Sequence, residues 1–230
     1  MYPYPGSGWT TVCNRRPEPV EHRHWEIYLA SLFTEQPDTW TATAPHLEVN
    51  YGAIPNLQLH AIFPLTLDVP SEGASSYGYG VTELGVKYRV IQEGEWRPQV
   101  GTFPLLEVPT RSHDRNLGGG HLQTFLPLWL QKSIGPWTAY GRGGYRINPG
   151  AHCWFTGIVV QCEVAPGFTP GFEVFHGTSQ VIGGSREVGL NFGAIWDLSD
   201  VQHIIFSAGP AIEGDRQLQG YFGYQRTFGP

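Results

Sequence analysis

Charged side chains recur at alternate positions of an otherwise apolar stretch, YGYGVTELGVKYRVIQEGEWRPQVGTFPLLEVPT, over residues 77–110. Glu83, Lys87 and Arg89 share one face of its first run, and Glu107 lies on the polar face of its second run, because side chains at i and i+2 of a strand point the same way. Facing a pore, such charges select and orient a solute. Filling a narrow interior, they form buried ion pairs. Both roles stay open.

Residue types for nucleophilic catalysis occur at two places, His176 with Ser179 and the consecutive Ser112-His113-Asp114. A catalytic triad is defined by geometry and not by adjacency in the chain. The triple glycine at 118–120 lacks the Lys-Ser/Thr that follows a phosphate-binding loop, so it predicts an ordinary loop. We predict no catalytic residues and no enzyme, with an outer-membrane lipid hydrolase as a remote alternative.

No cofactor and no metal are predicted. His46, His60 and His121 lie on polar faces but lack the ligand spacing of a zinc site.

The three cysteines contain no CxxC pair. Cys153 and Cys162 fall on one predicted strand about 30 Å apart, too far for a disulfide. Cys13 could pair with either, so its pairing stays open.

Composition indicates many strands and turns. The 230 residues include 30 Gly and 19 Pro, with 13% aromatic and only 15% charged residues. A net charge of -6 with two lysines offers no basic surface for nucleic acid. A run of eighteen apolar residues, which a membrane helix requires, is absent. The mean hydropathy of -0.23 does not exclude a membrane, because strands of a membrane barrel alternate.

Twelve segments alternate apolar and polar residues with the period of a β-strand. Most are about eleven to thirteen residues long, which fits a tilted crossing of a bilayer better than the strands of about five to six residues usual in soluble proteins. We place them at 24–34, 40–52, 57–67, two runs within 77–110, 120–132, 136–147, 152–163, 168–174, 185–197, 201–212 and 216–228.

The connections alternate in length. Short turns are predicted at 53–56, 93–96, 133–136, 165–167 and 198–200, and mostly longer polar loops lie between them. This is the pattern of an all-β, closed antiparallel transmembrane barrel of about 12 strands, with short periplasmic turns and longer extracellular loops. A soluble β-sandwich or ligand-binding barrel would also alternate, with its apolar faces inward. Trp25, Trp40, Trp96, Trp137 and Trp154 lie near strand ends, where they would form interfacial girdles.

We expect residues 1–22, rich in Pro, Gly and Arg, to be a flexible lead segment and 23–230 to be a single barrel domain. The first residues show no signal peptide, so we expect that one was removed or that the start is truncated.

In such a barrel the polar faces point inward. This predicts lumen-lining candidates at His46, Glu48, His60, Glu83, Lys87, Arg89, Gln99, Glu107, His121, Gln123, Arg142, Arg146, Glu163, Glu173, Glu187 and Asn191.

Five segments carry a family resemblance: RPEPVEHRHWEIYLAS, TAPHLEVNYGAIPNLQLHAIFPL, YGVTELGVKYRVIQE, RPQVGTFPLLEVPT and FLPLWLQKSIGPWTAYGRGGY. They resemble a bacterial outer-membrane transporter family linked to the meta-pathway of phenol degradation, over nearly the whole chain. The resemblance implies an outer-membrane β-barrel that is a porin-like channel for small, often aromatic or hydrophobic compounds. It supplies no binding residues.

The expected partners are therefore outer-membrane lipid and a small-molecule solute, without nucleic acid. A structural outer-membrane barrel with a plugged lumen is the alternative function. The solute, the gating and the oligomeric state stay open.

Overall fold

The computed structural model describes residues 18–110, 121–149, 152–179, 184–215 and 218–230. These residues form fourteen β-segments and no helix, and hence no helix long and apolar enough to cross a bilayer. The segments are β1 (Trp25–Gln36), β2 (Thr39–Ile54), β3 (Leu57–Pro70), β4 (Ser76–Tyr79), β5 (Thr82–Ile91), β6 (Gln99–Thr102), β7 (Leu105–Val108), β8 (Gln123–Ile134), β9 (Trp137–Ile147), β10 (Cys153–Cys162), β11 (Phe168–Gly177), β12 (Glu187–Ser199), β13 (Gln202–Glu213) and β14 (Leu218–Phe228).

The sheet closes on itself. β1 pairs antiparallel with β14 from Trp25 opposite Phe228 to Glu35 opposite Leu218. β4 and β5 both pair with β3, while β6 and β7 both pair with β5 and β8, so each of these couples forms one barrel strand. The fourteen segments therefore make a closed antiparallel barrel of twelve strands, which confirms the predicted fold class.

The hairpin within 77–110 differs in detail from the prediction. Both of its strands are interrupted, the first between Tyr79 and Thr82 and the second between Thr102 and Leu105. Pro104 has no N–H to give to the ladder, although its carbonyl accepts a hydrogen bond from the Val86 N–H at 3.1 Å. The connection is also longer than the predicted turn and spans 92–98.

The connections lie on two rims. The terminal rim, near which β1 begins and β14 ends, carries connections 55–56, 92–98, 135–136, 163–167 and 200–201. The opposite rim carries 37–38, 71–75, 109–122, 148–152, 178–186 and 214–217. Except for 37–38, the connections of the opposite rim have at least four residues. Three connections of the terminal rim have two residues, but 163–167 has five and 92–98 has seven, so the predicted alternation of length holds only in part.

The outward face of the wall is apolar. Leu29, Leu47, Leu84 and Leu128 are each more than two-fifths exposed in the isolated chain, and similar residues surround the barrel. All five tryptophans predicted near strand ends are exposed, with Trp25 and Trp137 near the terminal rim and Trp40 and Trp154 near the opposite rim. A surface of this composition needs an apolar environment.

The inward face mixes polar with apolar side chains. Phe103 and Leu105, which share the alternation of Gln99 and Glu107, are buried on this face at 1% and 3% exposure. They join a cluster of buried aromatic and aliphatic side chains that includes Tyr28, Trp129 and Tyr221. The interior is thus densely occupied and is not lined by polar groups alone.

Candidate functional site

Most of the predicted lumen-lining residues lie buried on the inner wall. Arg89, Gln123 and Glu187 are partly buried. His121 and Glu163 are exposed and lie outside the strands, His121 near the opposite rim and Glu163 near the terminal rim. The buried set comprises His46, Glu48, His60, Glu83, Lys87, Gln99, Glu107, Arg142, Arg146, Glu173 and Asn191.

One hydrogen-bonded chain joins the inner faces of β2, β3 and β5. Asn50 Nδ2 donates to Glu48 Oε1 at 2.8 Å, and Gln58 Nε2 donates to Asn50 Oδ1 at 2.7 Å. The His60 ring lies between acceptors, with Nδ1 2.7 Å from Asn50 Oδ1 and Nε2 2.8 Å from Glu83 Oε1. The His60 ring therefore bridges Asn50 and Glu83, and its Nδ1 also lies 3.6 Å from Glu48 Oε1.

The strand register creates this arrangement. Asn50 and His60 face each other across the β2–β3 ladder, and His60 faces Gly85 across the β3–β5 ladder. A Cβ at Gly85 would come within 2.4 Å of the Leu105 side chain and 2.8 Å of the Phe103 ring. The absence of a side chain at Gly85 lets Phe103 pack edge-on against His60, with ring centroids 5.0 Å apart.

A second cluster joins side chains of β9, β11 and β12 near the middle of the wall. Arg142 Nη2 on β9 donates to Glu173 Oε1 on β11 at 2.9 Å, and Asn191 Nδ2 on β12 donates to Glu173 Oε2 at 3.2 Å. The Arg142 guanidinium also lies 5.5 Å from the centroid of the Trp129 ring. The pair is buried, paired and hydrogen-bonded, as a stable interior charge requires.

A third cluster lies closer to the opposite rim. Arg146 Nη1 donates to Glu107 Oε1 at 3.1 Å and to Gln123 Oε1 at 3.3 Å, and its guanidinium lies 5.3 Å from the Phe125 ring centroid. The rings of Phe125 and Phe155 are 4.3 Å apart. Within the described part of the chain, Nε and Nη2 of Arg146 have no hydrogen-bond partner although the residue is 1% exposed.

Residues 18–22, at the end of the predicted lead segment, contact the barrel at the terminal rim. The Val20 N–H donates to Gln58 Oε1 at 3.0 Å, and Lys87 Nζ donates to the Glu18 carbonyl at 3.4 Å. Arg89 Nη1 lies 3.7 Å from Glu18 Oε1. Residues 1–17 lie outside the described part of the chain.

A cavity of about 410 Å³ lies between this segment and the inner wall, and we call it the terminal cavity. Tyr28, Glu48 and Phe103 are among the wall residues that line it, and Glu18 and Val20 line it from the segment. The terminal cavity gives the interior room for a small molecule at this rim.

Sequence reasoning missed the buried aromatic and amide members of the site. Tyr28, Asn50, Gln58 and Tyr221 are buried on the inner wall although none was singled out as a candidate. Asn50 and Gln58 share the alternation of Glu48 and His60, so the same period-2 pattern contains the signal for them.

The structure describes one of the two sets of catalytic candidates. His176 lies partly exposed within β11, and Ser179 lies beyond the end of that strand. Cys153 and Cys162 form no disulfide within the described part of the chain. Residues 112–114, 118–120 and Cys13 lie outside the described residues. Among the described residues, no group of three or more His, Cys, Asp or Glu side chains is placed to hold a metal ion.

Comparison with known proteins gives structural neighbours only. No protein-family model and no curated protein sequence matches the chain. An outer membrane channel from Pseudomonas putida F1 is similar with a TM-score of 0.76 at 14% identity, covering 95% of this chain and 100% of that one. The KdgM porin in complex with disordered oligogalacturonate is similar with a TM-score of 0.62 at 11% identity, covering 88% and 99%.

The β domain of the Bordetella autotransporter BrkA is also similar, with a TM-score of 0.55 at 12% identity, covering 89% of this chain and 98% of that one. These neighbours are outer-membrane β-barrels, and the chain has their fold.

Proposed function

We propose that this chain is a porin-like channel of the bacterial outer membrane that lets small solutes cross passively. The observation that supports this proposal most directly is that the two faces of the closed barrel wall differ in polarity. Apolar side chains cover the outside, while Glu48, Glu83, Arg142 and Glu173 are buried inside. Closure of β1 onto β14 leaves no free sheet edge, which is what a barrel needs in hydrocarbon.

The rims suggest the orientation in the membrane. Barrels of this class have short periplasmic turns and longer extracellular loops. The terminal rim is therefore the periplasmic rim, and the opposite rim with connection 109–122 is extracellular. The terminal cavity opens toward the periplasm in this orientation.

The solutes in this proposal are small and often aromatic or hydrophobic. Phe103, Phe125, Phe155 and Trp129 supply buried aromatic surface on the inner wall. The resemblance to the phenol meta-pathway family is in line with such solutes. The sixteen candidates predicted from the alternation would line or border this path, with His121 and Glu163 near its two ends.

A structural barrel with a filled lumen is the second candidate. It is favoured by the close packing of buried aromatic and aliphatic side chains around the ion pairs of Arg142 and Arg146. Paired charges in a narrow interior can be purely structural.

Solute uptake separates the two candidates. The protein is extracted with detergent, checked for a heat-modifiable shift in gel mobility, and reconstituted into liposomes that are mixed with small sugars, amino acids and aromatic solutes. A channel predicts swelling faster than that of protein-free liposomes. Full solubility without detergent, or folded protein without uptake of any solute, would contradict the channel.

A further inference from the structure

Residues 18–22 enter the barrel at the terminal rim, and we call them the strap. The chain reverses direction just before β1, because the His24 N–H donates to the Glu21 carbonyl at 3.0 Å and Arg23 has a positive φ of 68°. Residues other than glycine seldom adopt this left-handed conformation. The turn directs the strap back over β2, to which a parallel bridge joins it.

The inner wall lacks a side chain where the strap passes. Gly52 of β2 has the same parity as Glu48 and Asn50, so a side chain at this position would point inward. A Cβ at Gly52 would overlap the Glu21 carbonyl oxygen and would lie 2.8 Å from the carbonyl oxygen of Val20. Any side chain at this position would therefore push the strap away from the wall.

Three side chains of the wall hold the strap in place. Gln58 Oε1 accepts a hydrogen bond from the Val20 N–H at 3.0 Å, and Lys87 Nζ donates to the Glu18 carbonyl at 3.4 Å. Arg89 Nη1 lies 3.7 Å from Glu18 Oε1. Because Gln58 lies on β3 and Lys87 lies on β5, the strap extends across β2, β3 and β5, which pair in this order.

The buried part of the strap is small. Val20 is 6% exposed, whereas the side chains of Glu18 and Glu21 are 55% and 87% exposed. An ion pair as open to water as that of Glu18 contributes little to stability. One buried apolar side chain and a few polar contacts are what is expected of an element that can detach locally while the rest of the fold stays intact.

The strap takes up part of the mouth at the terminal rim. Glu18 and Val20 line the terminal cavity from the strap, and Ile195 of β12 and Ile205 of β13 line it from the wall. The space beside the strap is about 410 Å³. Detachment of the strap would therefore add its own volume to the open space at this rim.

We propose that the strap is a built-in constriction of the terminal mouth, docked through Gly52, Gln58 and Lys87, and that its release widens the mouth and speeds the passage of solutes. The constriction rests on the proposed channel function and deepens it by naming the element that limits the width of the mouth. The docked position of the strap rests only on its contacts with the wall.

Hydrogen exchange measures the release of the strap independently of transport. The amide of residue 20 is followed by NMR of nitrogen-labelled full-length protein in detergent micelles. Gly52→Ala should speed the exchange of this amide at least about tenfold, the effect of losing one hydrogen bond. Gly141→Ala is the matched control, because a Cβ at Gly141 would meet only the Gly157 carbonyl oxygen at 3.7 Å. Unchanged exchange in Gly52→Ala, or equal acceleration in Gly141→Ala, would overturn the docked strap.

A second variant releases the strap without altering the wall. Val20→Asp places a charge at a buried position, so the docked state is disfavoured and the same amide should exchange faster. Val164→Asp is its control, because Val164 is 61% exposed in connection 163–167 of the same rim. Every variant is first checked for heat-modifiable gel mobility. If Gly52→Ala does not fold, Val20→Asp provides the test, since it leaves every strand of the barrel unchanged.

Single-channel conductance in planar bilayers shows what the release does. Gly52→Ala and Val20→Asp are expected to conduct at least about twice as much as the wild type, because the narrowest part of a pore limits its current. Gly141→Ala and Val164→Asp are expected to match the wild type.

The constriction and the channel fail in different ways. Wild-type conductance in a variant whose residue 20 amide exchanges rapidly would leave the channel and remove the constriction. The absence of conductance and of solute uptake from the wild type and from both released variants would remove the channel, and the constriction with it.

Discussion

Arg142 on β9 bonds to Glu173 on β11 across the strand that separates them, with Nη2 2.9 Å from Oε1. The crossing point on β10 is Gly157, which pairs with Arg142 on one side and with Phe175 on the other. A Cβ at Gly157 would lie 3.3 Å from Glu173 Oε1. The missing side chain at Gly157 therefore leaves room for the ion pair to span the strand.

Removing the charge of Glu173 should strongly destabilise the barrel. Glu173→Gln leaves the buried Arg142 guanidinium without a counter-ion, which costs about 3–5 kcal/mol when one partner of a buried pair is removed. The free energy of unfolding in urea, with the protein in detergent micelles or vesicles, measures the loss.

The exposed pair of Arg186 and Glu213 provides the control. Its side chains are 64% and 46% exposed, so Glu213→Gln should leave the unfolding midpoint unchanged. A wild-type midpoint for Glu173→Gln would show that the pair contributes no net stability.

The His60 ring should contribute to the stability of the barrel. His60→Gln removes the ring that lies 2.8 Å from Glu83 Oε1 and 3.6 Å from Glu48 Oε1 and leaves both carboxyl groups buried, so it should destabilise the protein by about 1–3 kcal/mol. His203→Gln is the comparison at the terminal rim, where His203 pairs with a partly exposed Asp197 and the effect should be below about 1 kcal/mol.

The sequence predicts the faces of the strands better than the contacts between them. Alternation placed Glu48, His60 and Glu83 on inner faces because a strand has a strict period of two. It could not show that His60 bonds to Glu83, since that depends on the register of β3 against β5. The bond between Arg142 and Glu173 is even harder to predict from the sequence, because the two residues lie on strands that do not pair.

The packing of apolar residues on the inner wall could not be predicted from the alternation. Phe103 and Leu105 have the parity of Gln99 and Glu107, so the period of two places them inward, but it does not show that Phe103 packs against His60. Backbone groups of residues 18–22 make the contacts with Gln58 and Lys87, and a Pro-rich segment carries no periodic signal for such contacts.

The turn carboxylate Glu93 should make the barrel sensitive to acid. Burial raises its pKa, but the hydrogen bonds from the Ser133 N–H and from Lys132 outweigh burial and hold the pKa below the ordinary value of 4.5. A lowered pKa contributes stability that is present above the unfolded-state value and is lost as the pH falls through the folded-state value.

Unfolding between neutral pH and about pH 3 measures this contribution. Glu93→Gln should be less stable than wild type at neutral pH and should approach wild type as the pH falls below 4.5. Glu95→Gln, exposed in the same connection, should follow the wild-type curve. A constant gap between Glu93→Gln and wild type at all pH values would contradict this role.

The outward leucines should face hydrocarbon. Leu128 lies midway along β8 and is 54% exposed in the isolated chain. Leu128→Arg should therefore cost about 2–4 kcal/mol on folding into lipid vesicles. Leu198→Arg, equally outward near the terminal rim, should cost only about 0–1 kcal/mol. Equal costs at the two depths would argue against a membrane-spanning wall.

Single-channel recording in planar bilayers tests the channel most directly. Protein that shows heat-modifiable mobility is added to one side of the bilayer, and current is followed at constant voltage. The account predicts stepwise increases in conductance as single barrels insert. Folded protein that inserts into the bilayer without any conductance step would contradict it and would favour a structural barrel whose interior is permanently filled.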